Sequence, residues 1–173
     1  MARRREALVK LQTRLAEQLA LARTQVRGRS WLAVECGGLG FLFPLKEAGE
    51  IFAMSPVLGV PHTAPWFLGV ANLRGHLHGV VDLARFLGIK TEGAYRDQSR
   101  MVAFNPTAEL NCALVVDRLA GLRNETEIRL EPDPGDARPA FVTDRYRDQN
   151  GRVWQELRLA SLAQTEAFLK IVA

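Results

Sequence analysis

The sequence predicts an all-β fold with a helix at each end. Between residues 30 and 159, apolar residues fall in short alternating runs separated by Gly, Pro and Asn-Gly positions, a pattern typical of strands and tight turns. Before Gly28 the chain contains neither Pro nor Gly, and its leucines recur every three or four residues. With 173 residues, 47% of them hydrophobic and 24% charged, the chain is long enough to bury a substantial core.

A basic amphipathic helix is predicted from Arg3 to Arg27, where good helix formers dominate and Gly28 provides a C-terminal cap. Its large apolar residues at helical spacing are Leu8, Leu11, Leu15, Leu19 and Val26. We interpret this stripe as a surface that packs on the rest of the domain, with self-association or partner binding as the alternative. Binding to a membrane surface or to nucleic acid ranks third, because the helix has no aromatic anchors.

Strands are predicted before and after a central motif. The first two span residues 30–36 and 39–45 around a Gly37-Gly38 turn, a third begins within 46–52, and 53–64 form a loop. After a polar connection at 89–100, further strands are predicted at 101–105, 110–116, 117–122, 140–143 and 153–159. A charged loop is predicted at 123–139, and a short C-terminal helix at 161–172 is expected to cover an open barrel edge.

The central motif, residues 65–83, predicts a hairpin that leads into a helical turn. Gly69 and Gly75 stand where the backbone must bend or adopt a positive φ, and residues 76–82 alternate as a strand with one covered face. Asp82 is positioned to cap a turn of helix over 83–87, which Gly88 ends.

A faint internal repeat indicates a two-halved architecture. At an offset of 71 residues, the apolar positions of 39–51 recur in 110–122 with the same spacing. The two halves are therefore expected to bury one core together and to unfold as a unit, with Ile51 and Val116 on buried strand positions.

The charge distribution argues against a nucleic-acid-binding body. Residues 1–29 hold eight Lys or Arg and two Glu, whereas the other 144 residues hold fifteen basic and seventeen acidic groups. No broad basic surface is therefore predicted outside the first segment. Because no signal peptide or apolar membrane span is recognisable, a cytoplasmic protein is expected, with Cys36 and Cys112 as buried free thiols.

No residue pattern favours catalysis or a cofactor. His76 and His78 are two residues apart on one strand, but a metal needs further ligands, for which His62 is the only other histidine. The glycines at 37–40 precede a strand rather than a phosphate-binding helix, and the acidic run at 125–136 lacks the spacing of a calcium loop. We therefore predict a protein that is not an enzyme and has no catalytic residue, cofactor or metal.

The motif at 65–83 resembles the core of the CheW family of chemotaxis adaptors. It combines Pro65, an aromatic residue, Gly69-Val70 and Asn72-Leu73-Arg74-Gly75, followed by a strand that ends in Asp82-Leu83. The resemblance implies two SH3-like five-stranded barrels that share a core, within residues 29–173 and preceded by the helix of residues 1–28. It also implies an adaptor between a methyl-accepting receptor's signalling tip and the CheW-like regulatory domain of a histidine kinase.

Site residues are carried over from this resemblance. Asn72, Arg74 and Gly75 match the family's motif, and Arg74 corresponds to an arginine implicated in receptor and kinase coupling. The alternative is a purely structural role for Arg74, in which it forms an ion pair with Asp82 or Glu50. Leu45, Ala48 and Glu50 match a strand that lines the receptor groove between the halves. Asp117 matches the aspartate of a second family motif.

The chain also differs from a minimal adaptor of this family. Gly79 stands where such proteins commonly have Pro, and the basic helix is additional. With the ending at 154–171, the helix makes the chain similar to the PilI-type branch, which serves type IV pili and twitching motility. We therefore expect an adaptor recruited to membrane receptor arrays without membrane insertion; a flagellar chemotaxis adaptor, or a nucleic-acid binder using the helix, are the alternatives.

Overall fold

In the computed structural model, which describes residues 2–89 and 95–173, the strands form two sheets. The strands are β1 (Ser30–Cys36), β2 (Leu39–Pro44), β3 (Ala48–Ala53), β4 (Phe67–Leu73), β5 (His76–Asp82), β6 (Arg100–Phe104), β7 (Cys112–Val116), β8 (Arg118–Asn124), β9 (Ile128–Leu130), β10 (Val142–Asp148) and β11 (Val153–Leu157). The helices are α1 (Ala2–Arg27), α2 (Leu83–Phe86), α3 (Leu159–Leu162) and α4 (Glu166–Leu169). None of the helices described is both long and apolar enough to cross a bilayer.

The two sheets are interleaved along the chain. The first has the order β8-β1-β2-β11-β10-β9, and the second has the order β3-β6-β7-β5-β4. The second sheet is thus built from a stretch of chain inserted between the two parts of the first. The chain crosses between sheets twice, from β2 to β3 and from β7 to β8.

The internal sequence repeat of residues 39–51 and 110–122 contains these two crossings. Strand β2 lies antiparallel to β1 and parallel to β11, while β7 lies antiparallel to β6 and parallel to β5. The strand order β8-β1-β2-β11-β10 of the first sheet corresponds to β3-β6-β7-β5-β4 of the second, and a short helix follows both β5 and β11. The repeated apolar pattern therefore belongs to a structural duplication. In each half, the strands before the crossing belong to one sheet and the strands after it belong to the other.

One hydrophobic core is shared by both sheets. It contains inward-facing residues of β1 and β2, of β5, β6 and β7, and of the C-terminal helices, with Phe41, Val116 and Leu159 among its members. Each sheet also wraps around an interior of its own, centred on Trp31 and Trp154 in the first and on Met101 in the second. The predicted all-β fold of two SH3-like barrels that share a core is confirmed, and the first sheet has six strands rather than the expected five because β9 pairs with β10 at its edge.

Several sequence predictions differ from the structure in detail. Ile51 is 39% exposed, so its predicted burial is wrong, whereas Val116 is fully buried. The predicted loop at 123–139 contains β9, and the predicted C-terminal helix divides into α3 and α4. The predicted connection at 89–100 extends over residues 90–94, which lie outside those described.

The cysteines behave as buried apolar residues. Cys36 and Cys112 are free and buried, as predicted. Burial raises the pKa of each thiol to about 12, so both stay protonated at neutral pH.

The N-terminal helix does not cover the sheets along its described side chains. Every side chain from Arg4 to Gln18 is exposed, and Leu8, Leu11 and Leu15 are 51–59% exposed. The interpretation that this part of the stripe packs on the domain is therefore wrong, while the side chains of Leu19 and Val26 lie outside those described.

A cross-strand ion cluster on the first sheet predicts an acid-sensitive contribution to stability. Both guanidinium nitrogens of Arg118 that face Glu35 donate to its carboxylate, at 2.8 and 2.6 Å, and Arg152, which immediately precedes β11, also donates to it. The hydrogen bond from Arg118, followed by the hydrogen bond and charge of Arg152, holds the pKa of Glu35 at about 2 against an ordinary 4.5. A depressed carboxyl pKa stabilises the fold above the unfolded-state value, and that contribution disappears as the pH falls towards 2.

We expect Glu35→Gln to lower the free energy of unfolding at pH 7 by about 1 kcal/mol, because solvent screens the half-exposed arginines. The difference from the parent should shrink between pH 4.5 and pH 2, as measured by urea unfolding at each pH. Glu125→Gln, at an exposed turn position, is the control and should show no such convergence. A Glu35→Gln deficit that stays constant down to pH 2 would contradict the role of this charge.

Candidate partner-binding surface

The predicted motif forms a tight hairpin between β4 and β5. Leu73 pairs with His76, so the loop is the two residues Arg74 and Gly75, with φ values of 52° and 81°. Two consecutive positive φ values define a type I′ turn, whose twist matches that of the flanking strands. The Oδ1 atom of Asn72 accepts a hydrogen bond of 2.8 Å from the Gly75 N–H and fixes the turn. Three of the predicted site residues therefore form one local structure.

Arg74 occupies a strained backbone position. A left-handed φ costs a residue with a Cβ about 1–2 kcal/mol, and Asn or Gly usually fills this place in a type I′ turn. The Arg74 side chain is 75% exposed, so burial of that side chain does not offset the strain. Strain retained at an exposed position is a feature of functional surfaces.

The Arg74 guanidinium is directed towards the far edge of its sheet. It forms an ion pair with Glu50 on β3, although β3 and β4 are the two outer strands of the sheet. The pair therefore bridges the seam at which this sheet closes. Because both side chains are exposed, it contributes at most about 1 kcal/mol to stability.

Asp82, the other partner considered for Arg74, is engaged elsewhere. Its Oδ1 accepts from the backbone N–H of Arg85 at 3.2 Å and caps α2, as predicted. Its Oδ2 accepts from the Tyr95 hydroxyl at 2.8 Å, and burial together with this bond raises the pKa of Tyr95. Asp82 is thus a structural residue at the end of β5 that lies away from the turn.

A second contact crosses the same seam. The rings of Phe52 on β3 and His78 on β5 lie 6.2 Å apart between centroids, and Leu77, beside the turn, is 64% exposed. The sequence analysis did not assign Phe52, His78 and Leu77 to the surface, because only closure of the sheet brings β3 next to this hairpin. Among the residues described, no group of three His, Cys, Asp or Glu side chains is arranged to hold a metal ion.

Leu45, Ala48 and Glu50 lie on the segment that crosses from the first sheet to the second. Leu45 is 42% exposed, and its N–H donates to the Ser30 carbonyl at 3.0 Å. Ala48 packs against the shared core, whereas Glu50 is exposed. Between the last two, a Cβ on Gly49 would lie 2.5 Å from the Phe104 carbonyl oxygen, so only glycine allows this close approach of β3 to β6. Glu50 is the residue that joins this segment to the Arg74 hairpin.

Two family-motif positions serve structural contacts here. The Gly79 N–H donates to the Asn111 carbonyl at 2.9 Å, and a Cβ there would lie 3.1 Å from the Phe67 ring, so proline would lose a hydrogen bond at this site. The Asp117 carboxylate accepts from the Gly37 N–H at 2.8 Å and holds the β1–β2 turn.

Comparison with known proteins gives consistent results. The sequence profile of the CheW-like domain matches residues 30–167. Protein PilI of Pseudomonas aeruginosa is 28% identical over 91% of this chain and 88% of its own length. The chemotaxis protein CheW of Thermotoga maritima is 27% identical over 58% of this chain and 64% of its own length. Among solved structures, the scaffolding protein TtCheW of Thermoanaerobacter tengcongensis superposes with a TM-score of 0.65 and 20% identity, over 75% of this chain and 88% of that one.

Proposed function

The chain belongs to the CheW-like domain family, and on this premise we propose that it is a non-catalytic signalling adaptor. In this proposal it couples the signalling tip of a methyl-accepting chemoreceptor to the CheW-like regulatory domain of a chemotaxis-type histidine kinase. The observation that carries the proposal is the family match over both sheets, joined to the exposed, strained Arg74 at the tip of the motif hairpin.

The proposed contact residues fall into two adjoining parts. Leu45, Ala48 and Glu50 contribute the receptor-facing segment between the sheets. Arg74 contributes the charge that a partner recognises, while Asn72 and Gly75 hold the turn that presents it. The ion pair of Glu50 with Arg74 supports one continuous surface. No cofactor or metal enters this function.

The pathway is proposed to be control of type IV pili and twitching motility. The supporting observation is coverage: similarity to PilI extends over 91% of the chain, whereas the CheW relatives match 58–62% of it. A flagellar chemotaxis adaptor is the second candidate and is favoured less by this difference. In either pathway the adaptor acts in the cytoplasm at membrane receptor arrays, through protein contacts and without inserting into the bilayer.

We expect Arg74→Glu to weaken binding to the kinase regulatory domain or to a receptor signalling fragment by about thirtyfold or more. Loss of one member of a charge pair at an interface costs about 2–5 kcal/mol of binding free energy. The melting temperature should stay within a few degrees of the parent, because the Arg74–Glu50 pair is solvent-exposed. Calorimetric binding and a thermal melt of the same sample measure the two effects.

A charge exchange separates the functional from the structural role of Arg74. The double variant Arg74→Glu/Glu50→Arg restores the ion pair within the chain but reverses the charges that a partner meets. Binding to the kinase domain or receptor fragment should remain weak in the double variant. The control variant Arg129→Glu, which changes an arginine on β9, should bind as the parent does. Recovery of binding by the double variant would assign Arg74 a structural role, and normal binding of Arg74→Glu would remove it from the surface.

A further inference from the structure

The exposed face of α1 lies outside the proposed coupling surface and remains without a role. Helix α1 has 26 residues and is therefore about 39 Å long. Over residues 4–18 every side chain is exposed, including Leu8, Leu11 and Leu15. Helices in proteins gain most of their stability from packing an apolar face. An exposed stripe of three leucines is thus an interaction surface.

The spacing of the leucines indicates what kind of surface the stripe fits. At 100° per residue, Leu8, Leu11 and Leu15 fall within roughly 60° of arc, and Val9, which is 60% exposed, lies to one side of them at about 100° from Leu8. Interfacial membrane helices present bulky aromatic anchoring residues, and residues 4–18 contain none. Leucine spacings of three and four are instead typical of the seam of a two-helix contact. The leucines correspond to successive a, d and a positions of a heptad.

The charges beside the seam select the partner. In this register, Arg5 and Arg14 occupy e and g positions, which flank the seam, and Arg4 occupies the preceding d position. Both acidic residues of the exposed stretch, Glu6 and Glu17, occupy f and c positions away from it. A second copy of this helix therefore offers no acid to the flanking arginines, and a parallel pair in register places Arg4 against Arg4.

We propose that α1 docks along the Leu8–Leu11–Leu15 seam onto an amphipathic helix of another protein whose flanking positions carry glutamate or aspartate. The partner supplies apolar residues to the seam and carboxylates to Arg5, Arg14 and Arg4. This inference goes beyond the proposed adaptor function, because its residues are separate from Arg74 and its surroundings, and either can fail without the other.

The test uses the full chain and two synthetic four-heptad peptides with leucine at both seam positions. One peptide carries glutamate at all e and g positions, and the other carries lysine. We expect the glutamate peptide to bind with an affinity that falls with added salt, and the lysine peptide to bind at least tenfold more weakly. In the double variant Arg5→Glu/Arg14→Glu the preference should reverse. Two contacts with the glutamate peptide then become repulsive, whereas the same two contacts with the lysine peptide become attractive.

Matched variants separate the seam from general charge. Lys10→Glu, at a c position, should keep the parent's preference, whereas Leu11→Asp should lose both peptides while circular dichroism shows an unchanged β spectrum. Equal binding of both peptides, or of neither, overturns the proposal. So does a concentration-dependent dimer in sedimentation without peptide that Leu11→Asp abolishes, which identifies a second copy as the occupant. Binding to phosphatidylglycerol vesicles in preference to the glutamate peptide identifies a membrane surface and equally overturns it.

Discussion

Phe168→Ala is expected to lower the free energy of unfolding by about 3–5 kcal/mol. Phe168, on the four-residue helix α4, is 3% exposed and meets three other rings. Its centroid lies 5.9 Å from Trp66, 5.3 Å from Phe86 and 5.8 Å from Phe104. Because these residues pack on the core shared by both sheets, removal of the Phe168 ring should shift a single unfolding transition of the whole domain and should not make one sheet unfold separately. Urea unfolding followed by tryptophan fluorescence and by far-ultraviolet circular dichroism tests this.

The adjacent Leu169 provides the control for this prediction. It is 49% exposed, so Leu169→Ala should change stability by about 0.5 kcal/mol or less. Separate fluorescence and dichroism transitions in Phe168→Ala would show that the sheets unfold independently. A decrease of less than about 1 kcal/mol in the free energy of unfolding of Phe168→Ala would show that packing of α4 contributes little to the core.

Local patterns predicted the elements whose boundaries are set by turn chemistry. Strand β1 begins and ends as predicted, since Gly28 and Gly37-Gly38 delimit an alternating apolar run. The hairpin with Gly75 and the cap at Asp82 follow from the same local rules. Strand β9 was missed because it has three residues, of which only Ile128 is buried, and pairing with β10 decides its conformation.

The division of the C-terminal helix has a tertiary cause. Residues 161–172 include good helix formers, yet the chain breaks before α4. Burial of Phe168 among the rings, and backbone hydrogen bonds from Ala64 to Ile171 and from Ala173 to His62, hold the end against residues 62–64. Helical spacing alone contains no information on these contacts.

The candidate surface was predictable only in part for the same reason. Asn72, Arg74 and Gly75 are neighbours in sequence, and one turn geometry unites them. The choice of Glu50 over Asp82 as the partner of Arg74 depends on which strands form the edges of the sheet. The apolar period of α1 likewise predicts a helix without indicating whether the domain covers its leucines.

Glu156→Leu is expected to lower the free energy of unfolding by about 3–5 kcal/mol. Glu156 on β11 is 1% exposed, and its carboxylate accepts three hydrogen bonds. Oε2 accepts from Arg29 at 2.9 Å and from the Trp31 indole at 2.5 Å, and Oε1 accepts from the Thr143 hydroxyl at 2.6 Å. Leucine leaves the buried indole N–H and the half-buried Thr143 hydroxyl without this acceptor, at about 1–3 kcal/mol each. Urea unfolding at pH 7 measures the loss.

Glu156→Gln distinguishes the need for acceptor atoms from the need for a negative charge. The glutamine oxygen can take the place of Oε2, and its amide can donate to Thr143, whose hydroxyl then turns to act as acceptor. The charge itself contributes less, because the Arg29 side chain is 53% exposed and remains hydrated when its partner is neutral. We therefore expect Glu156→Gln to cost about 1 kcal/mol, well below the leucine variant. Equal costs for the two variants would mean that the buried charge, paired with Arg29, stabilises the first sheet, and that the hydrogen-bond geometry alone does not.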